Sequence, residues 1–131
     1  MVSIFSKIAS GEIPSYKIAE NENYFAFLDI NPLGMGHTLV IPKEEIDYIF
    51  DMNDELLAGM MVFSKKIARA IEKVIPCNRI GIAVLGLEVS HAHIHLVPIN
   101  SEADISFSKP KLKLTSEEFE EIASKIRSNL S

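Results

Sequence analysis

The chain has a single cysteine in 131 residues, Cys77, so it can form no internal disulfide and offers no paired thiols for redox or metal chemistry. A lone thiol of this kind reads as a small packed apolar side chain and fits a reducing compartment. Positive charge is also scarce: 13 Lys and Arg stand against 18 Asp and Glu, a net charge of −5. Sequence-independent binding to DNA or RNA depends on cations that neutralise phosphates, so no extended nucleic-acid partner is expected and a phosphate ligand must be recognised locally. No apolar run is long enough to cross a bilayer. The opening "MVSIFSKIASGEIP" is interrupted by Lys7 and Glu12 and lacks the unbroken apolar stretch of a secretory signal. The expected location is the cytoplasm, with no membrane partner.

What remains is the composition of a soluble globular protein, 47% hydrophobic and 24% charged, of a length that suits one domain over residues 1–131. Ser3 is placed to cap a short helix carrying Ile4, Phe5 and Ile8 on one side, with Gly11 to end it. The runs "YKIAE" and "YFAFLDI", separated by "NEN", suit a hairpin, and "HTLVIP" alternates as a third strand. Asn53 starts the longest helix, whose apolar residues recur at helical spacing until Pro76. "RIGIAVLGLEV" and "HIHLVPI" suit two further strands meeting near Gly86, and "NSEADISFSKPKLK" reads as loop. Thr115 with Glu118 forms a capping box ahead of a final helix with the stripe Phe119, Ile122, Ala123, Ile126 and Leu130. This segregated order predicts an α+β fold with a mostly antiparallel five-stranded sheet, a long helix and a C-terminal helix.

Three of the four histidines fall within "SHAHIHLVPIN", at every second position. On a strand, His91, His93 and His95 share one face, an open surface, while Ala92, Ile94 and Leu96 share the face that packs against a helix. A satisfied structural histidine explains one such residue and three less well. A metal site is a second reading, with His37 supplying a further ligand, but a strand rise of about 3.3 Å per residue spreads three imidazoles too far for one ion. The third reading is nucleophilic catalysis, in which a neutral ring nitrogen attacks phosphorus while neighbouring imidazoles hold its tautomer and donate to phosphate oxygens.

"HAHIHLV" fits His-x-His-x-His followed by two apolar residues, and the chain resembles the histidine triad (HIT) superfamily, whose members hydrolyse or transfer nucleotides at the α-phosphate. "SIFSKIASGEIPSYKIAE" and "AFLDINPLGMGHTLVIPK" extend the resemblance to the branch of histidine triad nucleotide-binding proteins. The resemblance implies that His93 is the nucleophile, that His91 and His95 position it and contact phosphate, and that His37 is the separate histidine of the site. It also implies Asp29 on the ribose hydroxyls, Ile30 on the base, and Phe5, Ile8 and Phe27 around a base pocket, for which plain core packing is the competing explanation. The expected activity is hydrolysis of purine nucleoside 5′-phosphoramidates or related α-phosphate derivatives through a covalent nucleotidyl-histidine. Dinucleoside polyphosphate hydrolysis is an alternative, as is a nucleotide-binding or interaction module with vestigial hydrolysis. No cofactor is implied. Relatives with a structural zinc carry an amino-terminal CxxC where this chain has Ser3 and Ser6, and a histidine where it has Glu45, so no metal is expected. A homodimer with the sheet continued across it is implied as well. Leu87 and Glu88 depart from a polar run common in relatives. Glu88 is expected to point outward, leaving Gly86 to admit a close approach of phosphate to main-chain N–H groups.

Overall fold

The computed structural model describes residues 2–130. Helix α1 spans Ile4–Ser10; Ser3 caps it by accepting the Ser6 N–H at 3.0 Å, and Gly11 ends it in the left-handed region at φ +88°, which an L side chain resists. Strands β1 (Lys17–Glu20), β2 (Tyr24–Leu28) and β3 (Thr38–Pro42) follow, then helix α2 (Asp54–Val74) capped by Asn53. Strands β4 (Arg79–Ala83) and β5 (Ile94–Ile99) precede helix α3 (Ser116–Ser128), where Thr115 and Glu118 close the expected capping box. One-turn 3-10 segments lie at Ile49–Asp51 and at Glu102–Ile105, the second within the stretch that the sequence reads as loop. No helix of the described residues is long and apolar enough to cross a membrane.

The five strands form one antiparallel sheet in the order β1-β2-β3-β5-β4. Its residues alternate between two apolar layers, as the strand period requires. Tyr24, Ala26, Leu28, Val40, Ile94 and Leu96 meet Met60, Ile67 and Ile71 of α2 and Phe119, Ile122 and Ile126 of α3. Phe25, Phe27, Leu39 and Ile41 face the other way and pack with Phe5 and Ile8 of α1. Ile67 and Ile71 are wholly buried, so truncating either to Ala should cost about 2–5 kcal/mol. The second layer is closed by only one short helix, and a cavity opens beside it.

β4 stops at Ala83 and β5 starts at Ile94, so both strands are shorter than the sequence suggests. Gly86 turns the connection at φ +72°, and the Ala92 N–H donates to Ile46 O at 2.7 Å instead of joining a ladder. This bond lies just before β5 and holds His91 and His93 outside the regular strand.

Candidate active site

A cavity of about 450 Å³ brings together nine of the ten residues expected at the site: Phe5, Ile8, Phe27, Asp29, Ile30, His37, Gly86, His93 and His95. Phe5, Ile8, Phe27 and Leu39 make an apolar end, and Phe5 meets Phe27 edge to face with ring centres 5.6 Å apart. Ile30 lies at the mouth, 63% exposed, which is an open position rather than a core one.

His91 is the exception. Three imidazoles lining one open face would require a regular strand from His91 onward, whereas the strand begins only at Ile94. His91 is completely buried away from the cavity, its Nε2 2.8 Å from Pro42 O and its Nδ1 2.7 Å from Ser3 Oγ. With both ring nitrogens engaged and the ring outside the cavity, it cannot contact a phosphate held there; what His91 presents to His93 is its carbonyl.

Fixed main-chain partners settle where the ring protons sit. An amide N–H can only donate, and Leu33 donates its N–H to His37 Nδ1 at 3.0 Å. His37 must then carry its proton on Nε2, which lies 3.0 Å from His95 Nδ1 and donates to it. His95 is left with its proton on Nε2. A carbonyl can only accept, and His93 Nδ1 lies 2.8 Å from His91 O, so His93 donates from Nδ1 and keeps a bare lone pair on Nε2. Two adjacent rings, 4.9 Å between centres, thus carry opposite equipment: a lone pair on His93 and an N–H on His95.

Burial keeps these rings neutral. It pushes His37 down to about 3 and His95 to about 4, and the other imidazoles nearby push the same way. His93 is also lowered, chiefly by burial, although its bond to His91 O and the charge of Glu88 oppose the change. Asp29 Oδ2 comes within 3.6 Å of His37 Nε2, but a neutral His37 makes this a polar contact rather than an ion pair. Asp29 Oδ1 accepts the Asn31 N–H at 2.8 Å, while burial raises its carboxyl pKa.

Ligand atoms of Asp29, His37 and His95 lie within 4.8 Å of one another, the only such metal-capable group among the described residues. The proton assignments oppose a cation there: His37 Nε2 holds a proton, and its Nδ1 lone pair accepts the Leu33 N–H.

Two contributors were missed in the sequence. Phe107 packs edge to face on His95 at 4.7 Å, and Lys111 lines the cavity with its ammonium bonded to Phe107 O at 2.7 Å. Leu112 fastens their segment to Pro32 O at 2.9 Å. Nothing in a loop-like composition marks such a placement. Glu88 also stands on the cavity rim while remaining exposed, and its charge reaches Asp29 and His93. The turn at Gly86 leads the chain back along the cavity instead of continuing a strand whose alternate residues would face away. Leu87 beside it, 91% exposed, lies on the same rim.

The family model described as HIT domain matches residues 10–102. The chain is 37% identical to the adenosine 5′-monophosphoramidase of Schizosaccharomyces pombe, the alignment covering 97% of this chain and all of that protein. It is similar to the crystal structure of a Hit-like protein involved in cell-cycle regulation from Bartonella henselae, solved with an unknown ligand, with a TM-score of 0.84, 32% identity and coverage of 98% and 96% of the two chains. A Zn-bound histidine triad family protein from Mycobacterium smegmatis matches with a TM-score of 0.82 and 33% identity over 97% of this chain and 91% of its own.

Proposed function

Because the chain belongs to the HIT-domain family, we propose that it is a nucleotide hydrolase of the histidine-triad type and that its substrates are purine nucleoside 5′-phosphoramidates or related α-phosphate derivatives. The observation that carries this reading is the pair of tautomers on His93 and His95. The name of the fission-yeast relative, an adenosine 5′-monophosphoramidase, supports the substrate class.

In this reading the base enters the apolar end between Phe5, Ile8, Phe27 and Ile30, and the Asp29 carboxylate accepts from the ribose hydroxyls. His93 Nε2 attacks phosphorus, forming a P–N bond as the bond to the departing amine breaks. The amine leaves with a proton from solvent at the cavity mouth. Positive charge developing on the His93 ring is held by its Nδ1–H bond to His91 O. His95 Nε2–H donates to a phosphate oxygen; with a pKa near 4 it serves as a hydrogen-bond donor rather than a proton reservoir. Water then attacks the same phosphorus, the P–Nε2 bond breaks, the nucleoside monophosphate leaves and a proton returns to solvent. His91 acts through its carbonyl and His37 through its bond to His95.

Mutating His93 to Ala should abolish turnover while nucleotide binding, measured by calorimetry with a nucleoside monophosphate, stays within about tenfold, since most of the pocket remains. Near-normal turnover in that variant would remove the nucleophile from the account. A homodimer in the cytoplasm belongs to the same proposal. β4 ends the sheet and exposes Ile82, and α2 exposes Met61 and Val62, apolar surface that a second copy would cover.

A further inference from the structure

Four polar side chains, none of them lining the cavity, meet at the start of α1. Ser3 Oγ gives its proton to His91 Nδ1 at 2.7 Å and accepts the Ser6 N–H at 3.0 Å. Glu45 Oε1 accepts both the Ser3 N–H at 2.6 Å and the Ser6 hydroxyl at 2.7 Å, and these bonds, the Ser3 N–H first, hold its carboxyl down to about 2. His91 is thereby tied at both ends of its ring, to the start of α1 through Ser3 and to the end of β3 through Pro42 O. It stands as a buried strut between two elements.

These side chains do not make a structural zinc site. They present two hydroxyls, one carboxylate and one imidazole nitrogen, where such sites use thiolates and imidazoles. The Ser3 hydroxyl is already engaged as donor and as acceptor. The cluster is complete as a hydrogen-bonded network of its own.

What the strut holds is the His91 carbonyl, and that carbonyl accepts the Nδ1–H of His93. Phe5, two residues beyond Ser3 in the same helix, packs edge to face on His93 with ring centres 5.0 Å apart. We propose that Ser3 and Glu45 are positioning residues for the nucleophile: their clasp on His91 fixes the carbonyl that aims His93 and keeps its Nε2 lone pair toward phosphorus. The inference rests on His93 being the nucleophile. Neither Ser3 nor Glu45 lines the cavity, so neither touches substrate.

The test uses the full chain and two readouts. In the resting protein, imidazole nitrogen NMR should find His93 protonated at Nδ1 alone, and in Ser3→Ala it should find a mixture of Nδ1–H and Nε2–H tautomers. In single-turnover reactions with an adenosine 5′-phosphoramidate, Ser3→Ala should slow formation of the nucleotidyl-histidine by about tenfold, the scale of a small misalignment, with KM little changed. Ser3→Thr keeps a hydroxyl at the cap and should restore both readouts. Glu45 is exposed, so Glu45→Ala tests the clasp without threatening the core and should slow the same step by about threefold. Wild-type rate and tautomer in both Ser3→Ala and Glu45→Ala overturn the proposal. So does a loss in Ser3→Ala that Ser3→Thr fails to restore, which would mark Ser3 as structural only. If the wild-type protein itself forms no adduct on His93, the failure lies with the nucleophile, and the resting tautomers still report on the clasp.

Discussion

His37 and His95 lie inside a polar relay yet remain uncharged, held at about 3 and about 4 when an ordinary histidine titrates near 6.5. Between those values the unfolded chain binds protons that the folded rings refuse. The unfolded state therefore holds more protons in this window, and stability falls as pH falls from 6.5 toward 4. Asp29, raised above 3.8 by burial, works the other way and offsets part of this loss, while Glu20, Glu45 and Asp104, held low by their partners, change stability mostly below their ordinary values of 4.5, 4.5 and 3.8. Urea unfolding midpoints should therefore drop on acidification within the histidine range above 4.5, and His95→Gln should make the drop shallower. A flat or rising midpoint would mean that these rings are charged in the folded protein. The alternation of "HAHIH" made His93 and His95 legible as neighbours, because a side-chain period of two survives from His93 into the strand. It misplaced His91. The bond from Ala92 to Ile46 that ends the strand pattern joins residues 46 apart in the chain, and no local period encodes it.

At the scale of elements, the loop that replaces the end of β4 places the charge of Glu88 on the rim of the cavity. Glu88 is exposed on the rim, so its repulsion of an anionic ligand is a screened, surface-type effect. Glu88→Gln should lower KM by about two- to fivefold at low salt, with the gain shrinking as ionic strength rises and kcat unchanged. Steady-state kinetics at two salt concentrations would check this, and an unchanged KM at low salt would place the carboxylate away from the phosphates. Helices α1, α2 and α3 were readable because each begins at a side-chain cap, Ser3, Asn53 and Thr115, that satisfies its own first turn. The segment bearing Phe107 and Lys111 was not readable. Its position depends on the Leu112 bond to Pro32 and on packing against His95, neither of which leaves a mark in a run of polar and proline residues.

For the molecule as a whole, the sheet leaves β4 at an edge, and the free backbone groups of an edge strand invite pairing. Ile82 of that strand is 50% exposed and Val62 of α2 is 69% exposed, so a second copy would hide apolar surface together with the edge. Light scattering at micromolar concentration should give twice the chain mass, and Val62→Lys with Ile82→Lys should shift it toward the monomer. A monomeric mass for the unaltered protein would reject the assembly and leave the cavity as the property of a single chain.

In the proposed reaction His93 Nε2 becomes covalently bonded to the nucleotide, a step that mass spectrometry can catch. The protein is mixed with an adenosine 5′-phosphoramidate, quenched within a single turnover under conditions that preserve a P–N bond, and its intact mass and peptides are read by mass spectrometry. One adenylyl group per chain, mapped to His93, is expected to appear before AMP is released and to be absent from His93→Ala. AMP released with no adduct at any time, or an adduct mapped to His95, would contradict it.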